Sequence, residues 1–250
     1  MYFNGCFIKV GKYEHIRALH HDGIIHCKTV KHFATIEDNQ RRDILEGVTY
    51  TKYLGQCEIS FKSIDAPETE YKRFGFAEDT RINNSPNEAM GNLFCMTGIN
   101  LWDCPVNQPK KVHPHIKGFG NCFVLIHNSN EFVSRVKAAA INEGLSLHHG
   151  SIEYKDFSNF TGYKTCFQKD NLYRPESEYR FHFNYHKEET INLKVGDLTD
   201  ISSIAPISFI DDLMVCPTKK DGNYIEFKVN AIRKVLANEH EEKKFLSIKD

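Results

Sequence analysis

The chain has 250 residues, 40% hydrophobic, 12% aromatic and 26% charged. That composition can build an ordinary globular core and excludes a disordered, coiled-coil or collagen-like chain. Thirty-two basic against 33 acidic residues leave a net charge of -1, so no chain-wide basic field is present for nucleic acid, although a local patch remains open. No apolar run reaches the ~18 residues that span a bilayer, and the amino terminus MYFNGCFIKV lacks a charged region followed by a long apolar stretch. A single domain over residues 1–250, cytoplasmic and without membrane contact, is the expectation.

In chain order, residues 6–10 read as a short strand, 13–21 as a helix stopped by Gly23, and 24–30 as a second strand. Residues 62–92, rich in charge, Pro, Asn and Gly, exceed the length of a plain loop and read as a functional insertion or long loop, or as containing short helices. Residues 102–120 carry three prolines and read as a long loop. The apolar run at 121–126 suits a strand buried on both faces. Residues 130–143 give the clearest helix, with Asn130 as cap, an apolar stripe through Phe132, Val133, Val136 and Ala140, and Gly144 at its close. Short strands are expected near 151–154, 163–168, 178–185 and 190–195, and a helix with a charged outer face around 225–244. Strands outnumber helices and the helices are scattered, so the class is α+β.

Eight cysteines are spread evenly, with no CxxC pair. Reduced thiols packed as small hydrophobes fit better than a disulfide scaffold. Cys95, Cys104, His113, His115 and Cys122 match no standard zinc spacing, so no metal is expected. A P-loop, a G-x-G-x-x-G and an H-E-x-x-H are all absent from the sequence.

The most informative segment is YRPESEYRFHFNY, 173–185. From Glu178 it alternates strictly: Tyr179, Phe181, Phe183 and Tyr185 share one face, and Glu178, Arg180, His182 and Asn184 the other. Glu176 has the same parity one strand-repeat upstream, and Pro175 stiffens the approach. Two close carboxylates beside a guanidinium are expected to line a cleft. There one carboxyl is driven up by the other and Arg180 offers a fork for phosphate.

These signals, taken with HFATIEDNQRRDILEG (32–47), LFCMTG (93–98) and KDNLYRPESEYRF (169–181), resemble a family of bacterial proteins known as a domain of unknown function. That family is similar in turn to the ADP-ribosyltransferase superfamily. The resemblance covers residues 5–200 or so, with the late E-x-E-aromatic-R strand its most specific part. It implies a split β-sandwich with peripheral helices and an NAD-dependent ADP-ribosyltransferase, a bacterial toxin or phage-defence effector. NAD is the substrate and the acceptor is nucleic acid (RNA or DNA) or protein; a neutralising antitoxin is a possible partner.

By the same resemblance Glu178 is the catalytic carboxylate that stabilises the ribose cation, and Glu176 is its partner. Lys9 stands on the first strand where the superfamily carries His or Arg. Phe33 stacks on nicotinamide. Arg42 and Arg180 are candidates for the pyrophosphate because a guanidinium matches phosphate geometry. Asp43, Glu46 and His182 support the site. Two alternatives stay open: a nuclease or RNA-processing enzyme using His182 and the carboxylates, and a non-catalytic binding module that keeps the fold.

Overall fold

The computed structural model describes residues 3–35, 43, 45–65, 70–86, 90–105, 108–185, 187–220 and 224–229. The chain begins with β1 (Gly5–Gly11), α1 (Tyr13–Arg17), β2 (Ile24–Thr29) and α2 (Val30–Ala34). A long hairpin follows, β3 (Tyr50–Phe61) and β4 (Lys72–Asn84), then β5 (Asn92–Asn100), β6 (Lys110–Lys111) and β7 (Cys122–Ile126). After α3 (Ser129–Asn142) come β8 (Ser146–Ser151), β9 (Glu153–Lys155), β10 (Gly162–Tyr163), β11 (Gln168–Asp170) and β12 (Glu178–Asn184). The last described strands are β13 (Ile191–Lys194), β14 (Ser202–Pro206), β15 (Met214–Lys220) and β16 (Tyr224–Val229).

The result is an α+β molecule with almost wholly antiparallel pairing. Its main sheet runs β8-β12-β5-β1-β7-β14. Strand β5 is the junction: one edge takes β12, while the other takes β1 along residues 97–100 and β2, with β13 beyond it, at residues 92 and 93. One face is covered by α3, whose Phe132 and Val136 pack on Phe7, Phe94, Val124, Phe181 and Phe183. Phe181 and Phe183 are wholly buried, as the alternation requires. Asn128, not Asn130, caps α3 by accepting from the Glu131 amide. No described helix is long and apolar enough to cross a membrane.

The opposite face changes character along the sheet. Under β1, β7 and β14 it is apolar, with Ile8, Phe123 and Leu125 covered by Val112, Ile116 and Leu213. The proline-punctuated stretch thus packs as short turns, and its two edge residues Lys110 and Lys111 form β6 against β15. Under β12 the same face is charged.

Three expectations are corrected. Residues 72–84 form a 13-residue strand, not a loop or short helices, and with β3 make a two-stranded arm. Glycine, three register shifts and exposure on both sides erase the burial alternation there. Residues 224–229 are a strand paired with β15, not the start of a helix, because Ile225, Phe227 and Val229 follow a period of two. Residues 230–244 lie outside the described residues. Glu176 is not on the strand at all: it closes a 3-10 turn, Asn171–Glu176, and Ser177, in the left-handed region at φ 45°, breaks the backbone before β12 starts.

Candidate active site

The charged face of β12 is assembled from three stretches of chain. The first is the turn made by residue 43 and residues 45–48. Asp43 accepts from the Leu45 amide at 2.9 Å, the Glu46 amide donates to the Asp43 carbonyl and the Val48 amide to the Leu45 carbonyl. This self-bonded turn aims Glu46 inward. The second runs from β10 to β11 and brings Lys164, Cys166 and Lys169. The third is Glu176 with Glu178, Arg180 and His182 on β12.

Arg180, only 2% exposed, is the centre. Its guanidinium takes Glu46 bidentately, Nη1 to Oε1 at 2.9 Å and Nη2 to Oε2 at 2.6 Å. Its Nε donates to Glu178 and its Nη1 also to the Cys166 carbonyl. Lys169 lies 2.8 Å from a carboxylate oxygen of Glu176 and 2.8 Å from one of Glu178. Lys164 donates to the Leu45 carbonyl at 3.0 Å. His115, from the proline-rich stretch, reaches within 3.9 Å of Glu176. The Glu178 amide donates to the Tyr154 hydroxyl at 2.8 Å, which anchors the start of the strand.

Buried charge sets the protonation. Burial alone would drive the Glu178 carboxyl up, but Arg180 and Lys169 more than reverse it and hold it well below the carboxylate range. Burial pushes Glu176 up to about 7 against the pull of Lys169, and the Glu178 charge adds to the rise. Burial, then Glu46, raises Asp43, whose Oδ2 meets no hydrogen-bond partner among the described residues. Burial would strip Lys169, yet Glu178 and Glu176 keep it protonated. Four carboxylates (43, 46, 176, 178) face three cations (164, 169, 180), so all seven ionised would carry 3 − 4 = −1. Burial raises both Glu176 and Asp43, and a proton held on either one offsets that excess of negative charge.

Next to the cluster is a cavity of about 220 Å³, lined by Glu46, Met90, Lys164, Cys166, Gln168 and His182 among others. Burial lowers the His182 pKa, so the imidazole is neutral. Its Nε2 lies 2.7 Å from the Met90 carbonyl. A carbonyl only accepts, so Nε2 carries the hydrogen and Nδ1 keeps its lone pair. Gly91 makes that contact: at φ +83°, a Cβ there would sit 2.4 Å from the Phe183 carbonyl and 2.7 Å from His182 Nε2. Burial raises the Cys166 thiol, with Arg180 opposing. The cavity wall therefore holds a clamped carboxylate, an amine, a thiol and an imidazole base.

Of the residues singled out in the sequence, Glu176, Glu178, Arg180, Asp43 and Glu46 meet in one cluster, and His182 joins it at the cavity. The expectation that Glu178 lines an open cleft is corrected. It is 6% exposed, does not line the cavity and is committed to two cations. Arg180 is likewise spent on Glu46 and Glu178, not presented to solvent as a phosphate fork. Lys9 stands on the α3-covered face of the sheet, donating to the Cys95 carbonyl at 2.6 Å and lying over the Phe94 ring. Phe33 lies half-buried on α2, edge-on to His32. Arg42 is outside the described residues. Lys164, Lys169 and Cys166 are additions. Lys169 opens the late motif seven residues before Glu176, but its reach to both glutamates depends on the 3-10 turn between. The described cysteines are free, and no group of described residues has the makings of a metal centre.

The chain matches no family model, no curated protein and no solved structure.

Proposed function

We propose that the protein is a transferase that breaks the nicotinamide–ribose bond of NAD and passes ADP-ribose to an acceptor. The observation that carries this reading is Glu46: a carboxylate held at the cavity wall by both nitrogens of a wholly buried Arg180. A site of that kind offers fixed negative charge where a ribosyl cation develops, and it needs no reorganisation when the cation forms. The cavity is smaller than the ~300–1,000 Å³ of sites for drug-sized ligands, and it suits the nicotinamide-ribose end, with the rest of the dinucleotide outside.

The step balances simply. The C1′–N bond breaks, its electron pair leaves with nicotinamide, and Glu46 faces the cationic ribose. The acceptor's O–H or N–H attacks C1′ and its proton passes to Nδ1 of His182. In this account Glu178 and Lys169 are positioning residues: they hold Arg180, which holds Glu46. The acceptor class, nucleic acid or protein, stays within the proposal, as do the superfamily-like split sandwich, the role as toxin or phage-defence effector, and a neutralising antitoxin. A non-catalytic module is the second reading, favoured by how fully Glu178 is committed to Lys169 and Arg180.

The test is incubation of the purified protein with NAD labelled in its adenylate half, together with a cell lysate. Nicotinamide release with label entering nuclease- or protease-sensitive material supports the transferase. RNA breakdown without NAD turns the site into a nuclease. No NAD turnover and no binding by calorimetry leaves the module.

A further inference from the structure

Outside the cluster, the arm formed by β3 and β4 is the part of the molecule that the core does not explain. Half of the exposed large hydrophobics among the described residues lie in its outer part: Ile59, Phe61, Ile64, Tyr71, Phe74 and Phe76, six of twelve. Phe74 is 77% exposed and its ring meets that of Phe61. Such a concentration on one projection marks a surface that a partner covers.

Strand β4 lies at the edge of its sheet, which runs β10-β3-β4 among the described residues. Thirteen residues of backbone are thereby available for a further strand. The charges select the partner. Over residues 58–79 there are three cations (62, 72, 73) and six carboxylates (58, 65, 68, 70, 78, 79), a net of 3 − 6 = −3. That balance repels a phosphate backbone or an anionic lipid surface. Along residues 72–79 of β4 the signs are segregated, with Lys72 and Arg73 at the outer end and Glu78 and Asp79 six residues on, while Arg81 beyond them is turned to the Ser158 carbonyl. An antiparallel copy of the same strand, related by a two-fold axis near Gly75, sets each basic end against the other's acidic end.

We propose that β4 pairs antiparallel with β4 of a second copy of this chain, joining the two arms into one sheet across a two-fold axis. The interface is isologous, so the Lys72–Glu78 attraction occurs twice.

Sedimentation velocity across a concentration series tests this. The wild type should dimerise. Glu78→Lys and Lys72→Glu, each placing like charges across the axis, should each weaken the dimer on the order of tenfold or more, with unchanged circular dichroism. The double variant Lys72→Glu/Glu78→Lys, which restores the opposite-sign pairs in reversed order, should recover the dimer. A wild type that stays monomeric overturns the proposal. So does a dimer indifferent to both reversals, a double variant that stays dissociated, or a monomer whose arm instead retains a single-stranded RNA oligonucleotide or a heterologous protein.

Discussion

Arg180 is a guanidinium with no access to water, and it is tolerated only because Glu46, Glu178 and the Cys166 carbonyl take its donors. Removing one partner of a buried pair costs more than the pair contributes, since the remaining charge is left uncompensated. Glu178→Gln should therefore lower stability by on the order of 3–5 kcal/mol, measured by urea unfolding, instead of leaving the fold untouched. A loss below about 1 kcal/mol would mean the cluster is far better solvated than its burial indicates. Glu176 makes a second prediction, with a definite sign. Its folded pKa of about 7 stands above the ordinary 4.5. The stability it contributes is thus fully present below about 4.5 and lost as pH rises through about 7. Glu178 has the opposite slope: held low by its cations, it contributes above the ordinary carboxylate pKa and loses that as acid protonates it. Relative to Glu176→Gln, the wild type should lose on the order of 1–3 kcal/mol between about pH 5 and about pH 8. Unfolding free energies at both ends of that range check it, and parallel pH curves for the two proteins would contradict it.

At the scale of elements, the aim of the cluster depends on the break ahead of β12. Ser177 holds a left-handed φ of 45° between the two glutamates, its amide donating to the Arg174 carbonyl and its own carbonyl accepting from Gly98. A non-glycine residue there carries ~1–2 kcal/mol of strain, partly offset by the lower entropy of its unfolded chain. Ser177→Gly should raise stability by about 0.5–1 kcal/mol in the same denaturation assay; a loss would show that the serine side chain supports the turn. Gly91→Ala should do the reverse, losing on the order of 1–3 kcal/mol, because the added Cβ meets the Phe183 carbonyl and the His182 ring. Strand β12 and helix α3 were legible from the sequence because each buries one clean face, giving periods of two and of about 3.6. Strand β4 was not, since a strand exposed on both sides leaves no such record.

Across the whole molecule, the α+β class follows from the count and spacing of apolar runs, whereas the branching of the sheet at β5 depends on pairings between residues far apart in sequence. The cluster was half legible. The E-x-E-aromatic-R strand and the Asp43–Glu46 turn stand out as charge patterns, yet which carboxylate faces the cavity is decided by packing: Glu178 is consumed by Lys169 and Arg180, and Glu46 is left at the wall. Lys9 failed to converge because strand parity puts it on the helix-covered face. The most direct measurement is the rate of nicotinamide release from NAD by Glu46→Gln beside the wild type, below the melting temperature of both, with NAD affinity measured in parallel. Loss of a charge needed only as the ribose becomes cationic should cut that rate by on the order of a hundredfold to a thousandfold while NAD affinity changes little. A folded Glu46→Gln protein that releases nicotinamide at the wild-type rate, or a wild type that releases none, would contradict the account.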